Sequence, residues 1–194
     1  MEVEPAAPAA PRSGAATRAR ILAAASELFY EQGIRATSPD RIIERVGLTK
    51  VTFYRHFRSK SDLVVAYLEE QAAAERTWLQ GLRNEDDPFG ALRAFAAGIG
   101  DASCRPGFRG CAFINAAAEF ADPDDPVRQV VSAHRAWMLS EFADIAVRIG
   151  APDVDSAARQ LMILRDGAMV NGYLGEPAEL ADALTAAFAT IVAF

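Results

Sequence analysis

Two short apolar stripes with helical spacing stand on either side of a glycine in RIIERVGLTKVTFYRHF, residues 41–57. Ile42, Ile43 and Val46 recur at three- and four-residue intervals, as do Phe53 and Phe57, and only Gly47, Leu48 and Thr49 lie between the two stretches. So short a connection forces the two helices to cross steeply, and Gly47 supplies the left-handed backbone conformation that such a turn requires. The segment predicts a helix-turn-helix. Val46, Leu48 and Phe53 fall where the two helices touch, and Ile42 and Ile43 where the pair packs on a third.

That third helix is written upstream. From Thr17 to Gln32 the residues Ile21, Leu22, Ala25, Leu28 and Phe29 keep helical spacing, and Gly33 stops the run. Thr37 or Ser38 caps the second helix, with Pro39 in its first turn, and Thr49 caps the next. Ser59, with Asp62 three residues on, opens a fourth, long helix that carries Leu63, Tyr67, Trp78 and Leu82 and ends near Gly81. Further helical segments are expected over 88–103, 109–121, 124–149, 153–173 and 177–193, punctuated by Gly, Pro and Asp, without sustained β alternation. The expected fold is all-α. Residues 1–16, rich in Ala and Pro, form a disordered tail; 17–64 form the helix-turn-helix domain, and 65–194 an α-helical body.

Charge divides the chain the same way. Residues 1–60 hold ten Lys+Arg against six Asp+Glu, net +4, whereas residues 61–194 hold ten against twenty, net −10. A basic end on an acidic body suits a molecule of which one end approaches a polyanion. Both lysines of the chain, Lys50 and Lys60, lie in VGLTKVTFYRHFRSK, residues 46–60, with Arg55, His56 and Arg58. Lys50, Thr52, Arg55 and Arg58 fall on or near the outer side of the third helix, where a recognition helix meets the major groove of double-stranded DNA.

TRARILAAASELFYEQGIRATSPDRIIERVGLTKVTFYRHFRSKSDL, nearly all of residues 17–65, resembles the DNA-binding region of TetR/AcrR-family transcriptional regulators, and GFRGCAFINAAAEFADPDDPVR is similar to the middle of the ligand-binding domain in one branch of that family. The resemblance implies a dimeric, non-enzymatic DNA-binding regulator, a repressor released from a pseudo-palindromic operator by a small-molecule effector. It assigns Tyr54, His56 and Lys60 to phosphate or supporting roles, which leaves Lys50 and Thr52 to read bases. Thr37 and Thr49 complete the DNA-facing set. Val51 stands where many members have Gly. The resemblance also implies that the last two long helices pair with a second subunit's as a four-helix bundle; Leu161, Leu164 and Ala168 on one, and Leu184, Phe188 and Ile191 on the other, are the candidates.

Other chemistries find little support. His56 and His134 are the only histidines and lie far apart, Cys104 and Cys111 have no metal-ligand spacing, and no glycine-rich phosphate loop is present, so neither metal nor cofactor is expected. No apolar run reaches the roughly 18 residues of a membrane span, and the N-terminus lacks a signal-peptide order, which points to a cytoplasmic protein with reduced thiols. Phe95, Phe108, Phe113, Phe120, Trp137 and Phe142 line a ligand cavity or form core; spacing does not choose. Asn115, Glu119, His134, Arg165, Asp166 and Asn171 are polar within apolar helices, and each needs a partner if buried: a ligand, an internal ion pair or a second subunit. The competing reading, an all-α enzyme or ligand-binding protein with an idle helix-turn-helix, gives no reason for both lysines to gather there.

Overall fold

A computed structural model describes residues 14–192 apart from Glu85 and Glu176. Among them the regular elements are all helical: α1 (Gly14–Gln32), α2 (Pro39–Val46), α3 (Lys50–His56), α4 (Lys60–Leu82), α5 (Pro88–Ser103), α6 (Ala112–Glu119), α7 (Pro126–Ile149), α8 (Val154–Leu174) and α9 (Leu180–Val192), with a 3₁₀ turn at Pro177–Glu179. α1 begins at Gly14, so residues 14–16 of the expected tail are helical; the rest of that tail lies outside the described residues. α6 is shorter than its expected span because Cys111 and Phe120 at its borders adopt extended backbone.

Local chemistry sets the boundaries. Ser38, Thr49 and Ser59 each take an extended N-cap conformation, and their hydroxyls accept from the N–H of Arg41, Thr52 and Asp62, satisfying donors the helix cannot. Gly47 closes α2 at φ 70°, ψ 47°, its N–H reaching the carbonyls of Ile43 and Glu44, and the chain re-enters helix at Lys50.

Two apolar cores result. The first gathers Ile21, Leu28, Ile42, Phe53 and Leu63 from α1–α4 and continues through Phe113 and Ala116 of α6 into Val127 and Val131 of α7. The second joins the far end of α4 to α5, α7, α8 and α9 through Leu79, Phe95, Phe142, Leu161 and Phe188. At 23 residues, α4 is roughly 35 Å long and is a wall of both.

This packing takes the residues expected at a dimer face into the subunit's own core. Leu161, Ala168, Leu184 and Phe188 are buried in the chain's own second core, and Leu164 and Ile191 are half-buried against it. The strongest apolar stripe of each helix is used inside the subunit. The outward face of α8 is a different one, with Ile163 69 %, Val170 46 % and Leu174 74 % exposed on either side of an exposed Gly167.

Candidate nucleic-acid interface and effector cleft

Phe53, fully buried, pins α3 to the first core, so the opposite side of the helix faces out. Thr49, Lys50, Val51, Tyr54 and Arg55 are exposed there, with Thr52 and His56 half-buried. The Thr49 and Thr52 hydroxyls lie 2.9 Å apart, and the Tyr54 ring stands edge-on to Phe53 with centroids 5.2 Å apart. Lys50 Nζ lies 2.9 Å from Asp40 Oδ1 in α2, and this hydrogen-bonded partner raises its pKa. Lys60, at the head of α4, points Nζ at the Arg35 carbonyl 3.5 Å away; partial burial lowers its pKa. Thr37 does not belong to this surface. Its side chain is fully buried and donates to the carbonyls of Leu28 and Gly33, bracing the corner between α1 and α2, while Ser38 does the capping.

The same corner is held from the body. Both carboxylate oxygens of Glu119, the last residue of α6, accept backbone N–H groups: Ile34 at 2.8 Å and Arg35 at 2.5 Å. Gly33, at φ 94°, lets the chain turn there with little room to spare, since a Cβ on it would lie 3.3 Å from Glu119 Oε1. Nearby, Tyr30 Oη accepts from the Arg109 N–H at 2.9 Å and donates to the Gly110 carbonyl at 3.0 Å, and Arg109 Nη1 donates to the Glu31 carbonyl. The loop from Cys104 to Cys111 is thereby bonded to the end of α1.

That loop roofs a cleft of about 660 Å³ between α4, α5 and α8. Trp78, Phe108 and Phe113 line it with Tyr30, and Glu75, Cys111 and Arg165 lie at its charged side. Trp78 stacks on Phe95 at 5.3 Å, and only a glycine at position 98 leaves the indole its place, since a Cβ there would stand 2.4 Å from Cζ2. Arg165 is 3 % exposed. Its Nη2 reaches Glu75 Oε1 at 3.0 Å, and Nη1 reaches Asp166 Oδ1 at 3.1 Å and Cys111 Sγ at 3.2 Å. Burial opposes its charge, but Cys111, Glu75 and Asp166 around it hold its pKa above the ordinary value. Burial likewise works against the Glu75 carboxylate, and contact with His134 and the charge of Arg165 overcome that and hold its pKa below the ordinary value. His134 Nε2 stands 2.9 Å from Glu75 Oε2 in a short but poorly directed contact, its ring stacked on Phe113 at 3.6 Å, and Asp166 also binds Arg135 at 2.7 Å.

Of the residues expected around a ligand cavity, then, Phe108, Phe113 and Arg165 face the cleft. Phe95 is core; Trp137 donates to Glu141 at 3.1 Å beneath the Arg76 guanidinium; His134 and Asp166 support the ion cluster from outside the cleft. Asn115 is exposed and donates to the Arg109 carbonyl, and Glu119 is the corner clamp. Each found a protein partner. Tyr30, Glu75 and Cys111 entered the cleft unannounced; Gly98, which leaves room for the Trp78 indole beside the cleft, is its trace in the sequence.

A family model described as "Bacterial regulatory proteins, tetR family" matches residues 21–67. The chain is 30 % identical over 166 residues to a probable HTH-type transcriptional regulator, ArpR, of Pseudomonas putida, a match covering 78 % of this chain and 77 % of that one. Over 78 residues, 40 % of this chain and 36 % of the other, it is 37 % identical to the HTH-type transcriptional activator FasR of Mycolicibacterium smegmatis. The crystal structure of SCO4454, a TetR-family transcriptional regulator from Streptomyces coelicolor, superposes with a TM-score of 0.87 at 38 % identity, covering 91 % of this chain and 94 % of that one.

Proposed function

Because the chain belongs to the tetR family of bacterial regulatory proteins, DNA-binding regulators of transcription rather than enzymes, we propose that it is a dimeric repressor that leaves its operator when a small molecule fills the cleft. The observation that carries this reading is the pair of contacts joining cleft to reading head: the cleft's roof bonds to Tyr30 and Glu31, and α6, which begins at the cleft, ends on Glu119 at the α1–α2 corner. A cleft of about 660 Å³ lies within the roughly 300–1,000 Å³ of small-molecule sites.

Within this reading residues 17–64, with the first turn of α1, form the DNA-binding domain, and 65–194 bind effector and partner. Thr49, Lys50, Thr52 and Arg55 face the bases and groove walls; Tyr54, His56 and Lys60 face or support phosphate contacts. Lys50 must leave Asp40 to reach DNA, a low barrier for an exposed pair. The second subunit packs on the outward stripe of α8, Ile163, Gly167, Val170 and Leu174, beside the small exposed residues Ala183 and Ala186 of α9. Two recognition helices roughly 34–36 Å apart then meet an inverted repeat in the cytoplasm. Among the described residues no helix is long and apolar enough to cross a membrane.

Footprinting the full-length protein on the DNA upstream of its own gene tests this. Two symmetric protected half-sites are expected; a single asymmetric half-site protected by a monomer would defeat the dimer reading.

A further inference from the structure

We propose that Val51 reads the C5 methyl group of a pyrimidine in each operator half-site, thymine or 5-methylcytosine alike, a reading that rests on α3 as the recognition helix. Val51 is 71 % exposed. It precedes Tyr54 by three residues and Arg55 by four, so it shares with them the side of α3 that the burial of Phe53 leaves outside. Isolated apolar side chains are ordinary on a protein surface; this one stands on the surface that meets base edges. Packing gives no reason for it, since the side chain belongs to none of the apolar cores, and a β-branched residue is a poorer helix former than alanine.

The neighbours of Val51 carry the polar part of the readout. The Thr49 hydroxyl accepts the Thr52 N–H at 3.2 Å and lies 2.9 Å from the Thr52 hydroxyl, and Lys50 Nζ lies 2.9 Å from Asp40 Oδ1. Val51 offers methyl groups and neither donor nor acceptor. In the major groove the base pairs present donors and acceptors, and the apolar group among them is the thymine C5 methyl. Seated on that methyl, Val51 removes apolar surface of both partners from water. Against any other base edge it strips water from a polar atom and returns no hydrogen bond. The selectivity therefore has two signs, and it depends on the C5 substituent rather than on the pairing pattern, so a methylated cytosine satisfies Val51 as thymine does. Tyr54, the other large apolar side chain exposed on α3, carries a hydroxyl and rests edge-on against Phe53, an arrangement suited to a phosphate contact.

The test selects duplexes from a random-sequence library with the full-length protein, then replaces each thymine of the selected duplex in turn by deoxyuridine, which removes only the methyl. One symmetry-related position in each half-site is expected to matter: affinity should fall about 4-fold when one of the two methyls is removed and about 15-fold when both are, as the burial of a methyl-sized group implies. Changing that pair to C·G and then methylating the cytosine at C5 should recover about the same 4-fold per half-site. Val51→Ala alters an exposed side chain and leaves the cores intact, so the variant folds; it should bind the thymine and deoxyuridine duplexes alike and gain nothing from 5-methylcytosine. A selected duplex in which no thymine methyl matters overturns the proposal, as does one whose methyl matters equally to Val51→Ala, which would give the contact to another side chain, Tyr54 first. Either result leaves α3 as the recognition helix, because a sequence was selected. Failure to select any sequence would instead sink the recognition-helix reading, and this proposal with it.

Discussion

Removing the Glu119 carboxylate should loosen the reading head from the body. Glu119 receives the N–H of Ile34 at 2.8 Å and of Arg35 at 2.5 Å. Hydrogen bonds to a charged acceptor contribute about 1.5–3 kcal/mol each, and a buried donor left alone costs about as much. Ile34 is 3 % exposed, so its N–H gains no water when the carboxylate goes, whereas exposed Arg35 is rehydrated. Glu119→Ala should therefore cost about 2–3 kcal/mol, nearly all of it through Ile34. Glu119→Gln keeps one acceptor oxygen and turns an NH₂ toward the other donor, so about half that loss is expected. Urea unfolding measures the stability, and operator titrations with and without an effector measure the coupling, which in a useful switch is about 1–3 kcal/mol. The alanine variant should lose most of that coupling while binding operator within a few fold of the parent. Unchanged stability, or full coupling in a variant shown to be destabilised, would refute the clamp.

Three further outcomes are expected. Ile163→Arg and Leu174→Arg should give folded monomers with poor operator affinity in sedimentation and gel-shift assays, whereas Leu184→Arg and Phe188→Arg should unfold the subunit, each burying an unpaired charge in the second core. Lys60→Ala should weaken binding to all DNA sequences and lower the salt slope by about one; Lys50→Ala should relax preference at one base position at about 1–3 kcal/mol, and Asp40→Asn, by freeing Lys50, should tighten binding in low-salt titrations. The folded state lowers the pKa of Glu75, so its contribution to stability is fully present above the unfolded value of about 4.3 and is lost as pH falls through the folded one. Glu75→Gln should accordingly flatten the acid limb of a stability–pH curve; an acid limb identical to the parent's would remove Glu75 from that account.

The helix-turn-helix was legible because its determinants are local. Ser38, Gly47, Thr49 and Ser59 act within three or four residues of their own positions, and the spacing of Ile42, Val46 and Phe53 fixes which side of α3 is left outside. Which side of α8 the subunit buries was not legible. α8 is apolar on two sides, and spacing cannot tell Leu161, which turns inward, from Ile163, which turns out. The cleft was legible in part. Polar residues such as Asn115 and Glu119 in an apolar helix announce a need for partners but not their identity, and here the partners were backbone groups. Cys111 and Arg165 meet across 54 positions of chain, a juxtaposition that only the packing of α6 on α7 and of α7 on α8 creates.

The first core does not stop where the reading head ends: Phe113 and Ala116 of α6 and Val127 of α7 complete the pocket into which α1 and α4 pack. The head is thus not an interchangeable part. A chimera that took residues 14–64 from this chain and its body from a relative would carry half of a moulded interface, with Ile34 and Arg35 missing Glu119 and Tyr30 missing the Arg109 loop. If the proposed function holds, new operator specificity is most economically sought by varying the exposed positions of α3, and new effector specificity by varying the cleft walls. The surface between them changes only when both sides change together.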